Sequence, residues 1–243
     1  MKYLKKMTYA QKQVVGLCGK LMQSQDMLFP GARVGIALSG GVDSWTLLQV
    51  LIIRQKIVPF SFELMILHLN PGFDPNNHQP LLKWLDKNPM SAHVEITDFG
   101  PKAHSEQNKK KSACFLCAWN RRKRLFELCA QYHLTHLAFG HVLDDLVTNF
   151  FLNLIYNGKV EGMSPKESFF KGKLLVIRPL LAVEKKIIQS AAKQWKLPVW
   201  ENPCPSAQNT NRTFLTQSIS ALAPNPRLLK NIFRGIRKWQ LDF

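Results

Sequence analysis

Two stretches of this chain carry side chains whose types and spacing could do chemistry. The first is Ser39-Gly40-Gly41-Val42-Asp43-Ser44, which follows the apolar run Arg33–Leu38 and precedes a segment of helical composition. Adjacent glycines let a backbone turn tightly and bring its N–H groups against an anion. The N-terminus of the helix that follows adds unpaired donors and partial positive charge. Ser39 and Ser44 supply hydroxyls, and Asp43 could hold the loop or a magnesium ion. A bare Gly-Gly turn would be an ordinary strand–helix junction, but the complete string after an apolar strand reads as a phosphate cradle. It lacks the lysine of G-x-x-x-x-G-K-S/T, which argues against Walker-type phosphoryl transfer. The second stretch, Cys114-Phe115-Leu116-Cys117, lets two thiolates reach one metal centre at the start of a helix. A helix N-terminus and neighbouring Arg and Lys are expected to lower thiol pKa there. This spacing alone fits zinc, a redox disulfide, an iron–sulfur site or two incidental thiols. Cys204 lies in the polar stretch ENPCPSAQNTNR, whereas Cys18 and Cys129 fall within apolar helical patterns and are expected in the core. No H-x-x-x-H element completes a zinc-finger pattern. Three cysteine ligands would leave one iron of a four-iron cluster open to sulfur or substrate.

The elements that must position these residues alternate along the chain. Residues 2–28 read as a helix interrupted by Pro30-Gly31, then Arg33–Leu38 as a strand and Trp45–Lys56 as a helix. Phe62–Leu69 is a second strand before the Pro71-Gly72 turn, Leu81–Lys87 a short helix and Ala92–Thr97 a third strand. Residues 100–113 are polar and lysine-rich and are expected to form a mobile loop. Leu116–Tyr132 is a helix, Leu137–Gly140 a strand, Asp144–Tyr156 a helix, Leu174–Ile177 a strand and Val183–Lys196 a helix, with two more helices after Arg212. This order predicts an α/β fold with a doubly wound, mostly parallel sheet, whose ligands bind beyond the carboxyl ends of the strands. Residues 1–29 form an N-terminal helical segment, 30–200 the α/β domain with the C-x-x-C, and 201–243 a C-terminal helical segment carrying the third cysteine.

Bulk properties narrow the partners. Of 243 residues, 46% are hydrophobic and 20% charged, enough for one sizeable core. No run of about 18 apolar residues suggests a membrane span, and the N-terminus has no apolar secretory core, so a cytoplasmic location is expected. The net charge of +17, from 33 Lys+Arg against 16 Asp+Glu, points to an anionic partner, most commonly nucleic acid. The charge is clustered: Lys109, Lys110 and Lys111, then Arg121, Arg122, Lys123 and Arg124, flank one short segment. Five cysteines, an odd number, argue against a disulfide framework.

The S-G-G-x-D-S string resembles the signature of PP-loop pyrophosphatases, which bind ATP and release AMP and pyrophosphate. Further strings in order resemble the TtcA family, the tRNA-cytidine 2-sulfurtransferases. They are Cys114–Cys117 followed by Arg121-Arg122, Phe139-Gly140-His141-Val142-Leu143-Asp144-Asp145, Phe151-Leu152-Asn153, the run Gly158–Lys166, Ile177-Arg178-Pro179-Leu180, and Cys204-Pro205-Ser206 with Arg212. The resemblance covers nearly the whole chain. It implies the PP-loop fold, of adenine nucleotide alpha hydrolase type, with ATP, Mg2+ and a 4Fe-4S cluster as cofactors. It further implies Asp43, Asp144 and Asp145 as catalytic acids and Ser39, Gly40, Gly41, Asp43, Ser44, His68, Gly140 and His141 as nucleotide contacts. Cys114, Cys117 and Cys204 would hold the cluster. ATP would adenylate the C2 oxygen of an anticodon-loop cytidine, and sulfur from sulfide or a cysteine desulfurase persulfide would displace AMP. Arg121–Arg124 and Lys230, Arg234, Arg237 and Lys238 would hold tRNA phosphates; a homodimer is compatible. A helix N-terminal turn would by itself also favour acids at 144 and 145. Val42 stands where the family has lysine, Asn70 where it has an acidic stretch and Glu201 where it commonly has another cysteine. Three other functions remain open: a PP-loop enzyme acting on another RNA base, a PP-loop ligase or amidotransferase partner with unused cysteines, and an RNA-binding or redox protein without ATP turnover.

Overall fold

Short apolar runs in this chain become the central strands of a sheet, buried on both faces, with more exposed strands at its edges. The computed structural model describes residues 6–106, 108–109, 112–201, 203–207 and 210–238. The strands are β1 (Arg33–Ala37), β2 (Glu63–Asn70), β3 (Ala92–Ile96), β4 (His136–Ala138), β5 (Lys166–Phe169) and β6 (Leu174–Ile177). They form one sheet in the order β3-β2-β1-β4-β6-β5, parallel except for the edge pair β5–β6. Successive side chains point to opposite faces. Ile66, Ala138 and Ile177 therefore enter one core with Val34 and Ile36, while Leu67, Leu137 and Val176 enter the other.

The first core is covered by α1 (Tyr9–Ser24), α2 (Val42–Gln55), α6 (Leu143–Asn157) and α7 (Lys185–Trp195), the second by α5 (Ala113–Gln131). The remaining helices are α3 (Gln79–Lys87), α4 (Phe99–His104), α8 (Asn211–Leu222) and α9 (Pro226–Ile236). Helices α8 and α9 pack on α6, and Ile219, Phe233 and Ile236 join the first core. Cys18 and Cys129 are buried in the first and second cores respectively, as their apolar surroundings predict.

Several boundaries differ from the sequence reading for local reasons. Helix α1 starts at Tyr9 because Thr8 closes a capping box with Gln11, and it ends at Ser24, before Asp26 at positive φ. Helix α2 begins at Val42, directly after the extended Gly41, so the glycine loop runs into the helix without a spacer. The segment 100–113, expected as a loop, opens with part of α4; its residues 107, 110 and 111 lie outside the described residues. Strand β5 was not anticipated, because Lys166-Glu167-Ser168-Phe169 lacks an apolar alternation. It forms by pairing antiparallel to β6 across a turn in which Phe170, Lys171 and Gly172 all have positive φ. Strand β1 has β2 on one side and β4 on the other, so the order reverses there and leaves a crevice at their carboxyl ends.

Candidate functional site

The glycine loop fills that crevice and is closed by its own serines. The Ser39 N–H donates to Ser44 Oγ at 3.2 Å, Ser44 Oγ donates to the Gly41 carbonyl at 2.9 Å, and the Gly41 N–H donates to Ser39 Oγ at 3.4 Å. Gly40 has φ +93°, and a Cβ there would lie 2.2 Å from the Trp200 indole. The Trp200 backbone N–H in turn donates to the Gly40 carbonyl at 3.1 Å. Gly140, arriving from the end of β4, lies so close to the loop that a Cβ would meet the Asp43 carbonyl and the Ser44 nitrogen at 3.0 Å. Two glycines far apart in sequence thus allow close approach of three chain segments.

A cavity of about 350 Å³ opens beside the loop, lined by Ser39, Asp43, Ser44, Gly140, His141 and Asp145 among others. Arg121, Arg122 and Arg178 also face it, giving a cationic wall suited to phosphates. Asp43 pairs through Oδ2 with Lys185, while its Oδ1 is enclosed without a hydrogen-bond partner. Burial pushes the Asp43 pKa up, the Lys185 ammonium opposes that rise, and the charges of Asp145 and Asp144 reinforce it. Asp144 Oδ2 accepts from the Lys185 backbone N–H at 2.9 Å, and burial raises its pKa too. Asp145 caps α6 by accepting from the Val142 N–H at 2.9 Å, and its Oδ1 pairs with Arg212. Asp145 thus performs the helix-terminal role expected of an acid at this position and also faces the cavity, whereas Asp144 turns to the start of α7.

His141 and His68 take different positions. His141 lines the cavity with an enclosed, unpartnered Nδ1, and burial, with Arg178 nearby, lowers its pKa to about 4. His68 is buried against the loop: Nδ1–H donates to the Leu38 carbonyl at 2.7 Å, and the ring packs against Trp200. Burial lowers its pKa to about 4 as well, so both imidazoles are neutral at pH 7. His68 braces the base of the loop, whereas the cavity wall on that strand is formed by Leu67 and Leu69.

Cys114 is exposed and Cys117 half-buried in the first turns of α5, whose N-cap Ser112 accepts from the Phe115 N–H at 3.3 Å. Cys204 is half-buried in the segment after Trp200. This segment is anchored by Asn77 Nδ2 donating to the Glu201 carbonyl at 3.0 Å and by a 2.7 Å hydrogen bond between His104 and Ser206. The three thiols lie within electrostatic reach of one another. Burial raises the pKa of Cys114, with the Cys204 charge adding to it. Burial also raises that of Cys117, where Arg121 opposes the rise and Cys204 and Cys114 add to it. The lowering expected at a helix start is therefore overturned: desolvation and mutual repulsion exceed the effect of the nearby guanidinium. All three are free thiols of the type that suits a soft metal or iron–sulfur centre. Among the described residues, however, no three His, Cys, Asp or Glu side chains are gathered as a ready metal-binding group.

The basic cluster does not act as one surface. Arg121 turns inward, lining the cavity and interacting electrostatically with Cys117 and Cys204, with its Nε enclosed and unpartnered. Arg124 pairs with Glu95 at 2.9 Å and Glu127 at 3.2 Å, leaving Arg122 and Lys123 as the exposed members. Lys230 pairs with Glu184 at 2.7 Å, while Arg234, Arg237 and Lys238 are exposed on and just after α9. Lys110 and Lys111 lie outside the described residues. Asn70 is buried and organises the following turn: Oδ1 accepts from the Gly72 N–H at 2.9 Å, and Nδ2 donates to the Asp74 carbonyl at 2.9 Å.

Lys185, Trp200 and Arg178 were absent from the sequence-derived site. No local pattern marks Lys185 or Trp200: each reaches the loop only through packing of elements far away in the chain. Arg178 does lie in the I-R-P-L string, and there its guanidinium holds Glu167 of the unanticipated β5 at 2.8 Å.

Residues 11–222 match the PP-loop domain family. A tRNA-cytidine(32) 2-sulfurtransferase of Pseudomonas putida strain W619 is 32% identical over 232 residues, covering 93% of this chain and 84% of the relative. The enzyme of the same name from Pseudomonas syringae pv. syringae strain B728a is 31% identical over 235 residues, covering 95% and 85%. Among solved structures, the U34-tRNA thiolase NcsA from Methanococcus maripaludis, with its 4Fe-4S cluster, superposes with a TM-score of 0.75 at 20% identity, covering 95% of this chain and 83% of that one. NMN synthetase from Francisella tularensis gives a TM-score of 0.53 at 11% identity, covering 96% and 95%. These two structural likenesses establish the fold. No helix among the described residues is long and apolar enough to cross a membrane. With residues 11–222 matched by the family and 93% of the chain aligned at 32% identity, the chain belongs to the PP-loop domain family and, within it, to the tRNA-cytidine 2-sulfurtransferases (TtcA).

Proposed function

We propose that this chain is an ATP-dependent tRNA sulfurtransferase that replaces the C2 oxygen of an anticodon-loop cytidine with sulfur. The observation that carries the reading is Arg121, which lines the cavity beside the glycine loop and also interacts with Cys117 and Cys204, so that phosphate cradle and thiols adjoin. Sequence similarity of 32% to the Pseudomonas putida enzyme over most of both chains supports the same substrate class.

In this reading the glycine loop and the arginine wall bind ATP, and Asp43, Asp144 and Asp145 serve Mg2+ and the reacting phosphate. The cytidine O2 attacks the α-phosphorus, the α–β phosphoanhydride bond breaks, and pyrophosphate leaves. Hydrosulfide, supplied as sulfide or released from a persulfide donor by a thiol reductant that is oxidised to its disulfide, then attacks C2, the C2–O bond breaks, and AMP departs with the original oxygen. The logic is that a ring carbonyl oxygen leaves poorly until it is esterified. Cys114, Cys117 and Cys204 would hold a 4Fe-4S cluster, which would supply an iron free of protein ligands for the incoming sulfur. Neutral His68 braces the loop, and neutral His141 presents an imidazole to the cavity without adding charge. The exposed Arg122 and Lys123, with Arg234, Arg237 and Lys238 of the C-terminal segment 201–243, would meet tRNA phosphates. Free thiols and a tRNA substrate accord with a cytoplasmic site of action, with sulfide or a desulfurase persulfide as donor and a homodimer as a permitted assembly.

The test is nucleoside mass spectrometry of tRNA treated with anaerobically reconstituted protein, ATP, Mg2+ and sulfide. Appearance of 2-thiocytidine dependent on ATP supports the reading. A thiolated base other than cytidine would move the chain to the alternative of another RNA target. No thiolated base, with tRNA still bound, would leave a binding protein without turnover.

A further inference from the structure

The glycine loop, Ser39–Ser44, contains one charged side chain, and that charge is negative. Any polyphosphate entering the cradle would therefore meet Asp43 at close range. The cation in contact with Asp43 comes from the other end of the α/β domain: Lys185, the first residue of α7, 142 positions later in sequence. Lys185 is fixed at both ends. Its backbone N–H donates to Asp144 Oδ2 at 2.9 Å, and its ammonium pairs with Asp43 Oδ2. The pair is not sealed in the core, since the side chains retain 35% and 24% of their exposure. Asp43 Oδ1, by contrast, is enclosed and has no partner. Enclosed carboxylate oxygens are ordinarily satisfied, so this carboxylate is only half served by the lysine and has an oxygen left for a further cation.

We propose that Lys185 is the polyphosphate-binding cation of this site, parked on Asp43 until nucleotide arrives. With nucleotide bound, the ammonium would move to phosphate oxygens of the pyrophosphate moiety, and Asp43, released by the lysine, would be available to hold Mg2+. The exchange keeps every charge paired throughout, and it places positive charge on the group that must depart. The bond to Asp144 holds the backbone of Lys185 in place during the exchange, so only the side chain moves. This assignment rests on the ATP reading above and deepens it by naming the residue that serves the leaving group.

The competing role is that of a structural counter-ion, which would neutralise Asp43 and never touch ligand. Calorimetric titration of Mg2+–ATP, Mg2+–pyrophosphate and AMP into wild type, Lys185→Met and Lys186→Met separates the two. A lost charge-assisted contact corresponds to about 10–100-fold in affinity. Lys185→Met is expected to weaken ATP and pyrophosphate by that factor and to leave AMP within about twofold, and Lys186→Met, exposed one residue on, to change none of them. Equal losses for AMP and pyrophosphate, or no loss of pyrophosphate, overturn the assignment. If Lys185→Met fails to fold because Asp43 is left unpaired, Asp43→Asn with Lys185→Met removes both charges. Pyrophosphate binding by that double variant equal to Asp43→Asn alone would also overturn it; a further drop supports it. A wild-type chain that binds AMP, ATP and pyrophosphate not at all overturns the ATP reading itself and this assignment with it.

Discussion

The two halves of the proposed site are built differently. Around the glycine loop, hydrogen bonds from Ser39, Ser44 and Trp200 and close backbone contacts from Gly40 and Gly140 hold the cradle in one arrangement. Around the thiols, Cys114 is exposed, Cys117 and Cys204 are half-buried, all are unbonded, and no three ligating side chains among the described residues are gathered. The phosphate side is pre-organised by backbone packing, whose stabilisation is already present in the fold. The thiol side lacks that support; under the proposed function its order would come with a bound centre, because binding energy at soft-metal sites is coupled to their assembly. The electrostatics of the two halves differ as well: burial, with the neighbouring thiols adding to it, raises the pKa values of Cys114 and Cys117.

The largest effects should come from the unassembled half. Cys114→Ala, Cys117→Ala and Cys204→Ala are each expected to abolish iron retention and thiolation while leaving the melting temperature nearly unchanged. Cys18→Ala and Cys129→Ala are expected to keep iron but to lower stability by about 1–2 kcal/mol, because both thiols fill core space. Iron quantification after anaerobic reconstitution checks this, and equal iron in all five variants would reject the division.

In the pre-organised half, Gly40→Ala puts a methyl group into the Trp200 indole at positive φ. A loss of about 2–4 kcal/mol is expected, seen as a melting temperature lower by roughly 5–10 °C. The same substitution in a Trp200→Ala background should cost less. An equal cost in both backgrounds would show that the Trp200 indole is not what excludes a side chain at position 40.

Acid should weaken this half through His68. Its folded pKa of about 4 lies below the ordinary 6.5, so its neutral form's contribution is fully present above pH 6.5. That contribution falls away as the pH drops through 6.5 towards 4, because the unfolded chain takes up a proton that the fold excludes. The stability difference between wild type and His68→Gln is expected to shrink by of order 2 kcal/mol between pH 7 and pH 4.5. Chemical denaturation at a series of pH values measures it, and parallel profiles would contradict a buried neutral His68.

The smallest effect is expected at the tie between the C-terminal segment and α6. Arg212 is 45% exposed where it pairs with Asp145, so solvent screening leaves Arg212→Ala a cost below about 1 kcal/mol. A loss above 2 kcal/mol in a urea melt would show that this ion pair, and not the apolar contacts of Ile219 and Phe233, seats the segment.

How much of this was readable in advance varies by element. Strands β1, β2, β4 and β6 were legible because buried parallel strands are short apolar runs, β3 because its apolar and polar residues alternate, and the loop because its special backbone demands glycine. Strand β5 was not, since an edge strand with mixed polar residues carries no periodic signal and forms by pairing with β6. The basic run Arg121–Arg124 read as one phosphate-binding surface, yet helical geometry turns Arg121 towards the cavity and gives Arg124 to Glu95. Asn70 read as a missing carboxylate; in the fold its amide both donates and accepts to shape residues 70–78, a task suited to an amide.

By itself the sequence determined the α/β order, the glycine loop between β1 and α2 and the identity of the three accessible cysteines, because each depends on local residue type or on short-range periodicity. Tertiary structure alone decided that Lys185 meets Asp43, that Trp200 covers Gly40, and that Arg121 lies between cavity and thiols. Those contacts join residues separated by long stretches of chain, and only the winding of helices on both faces of the sheet brings them together.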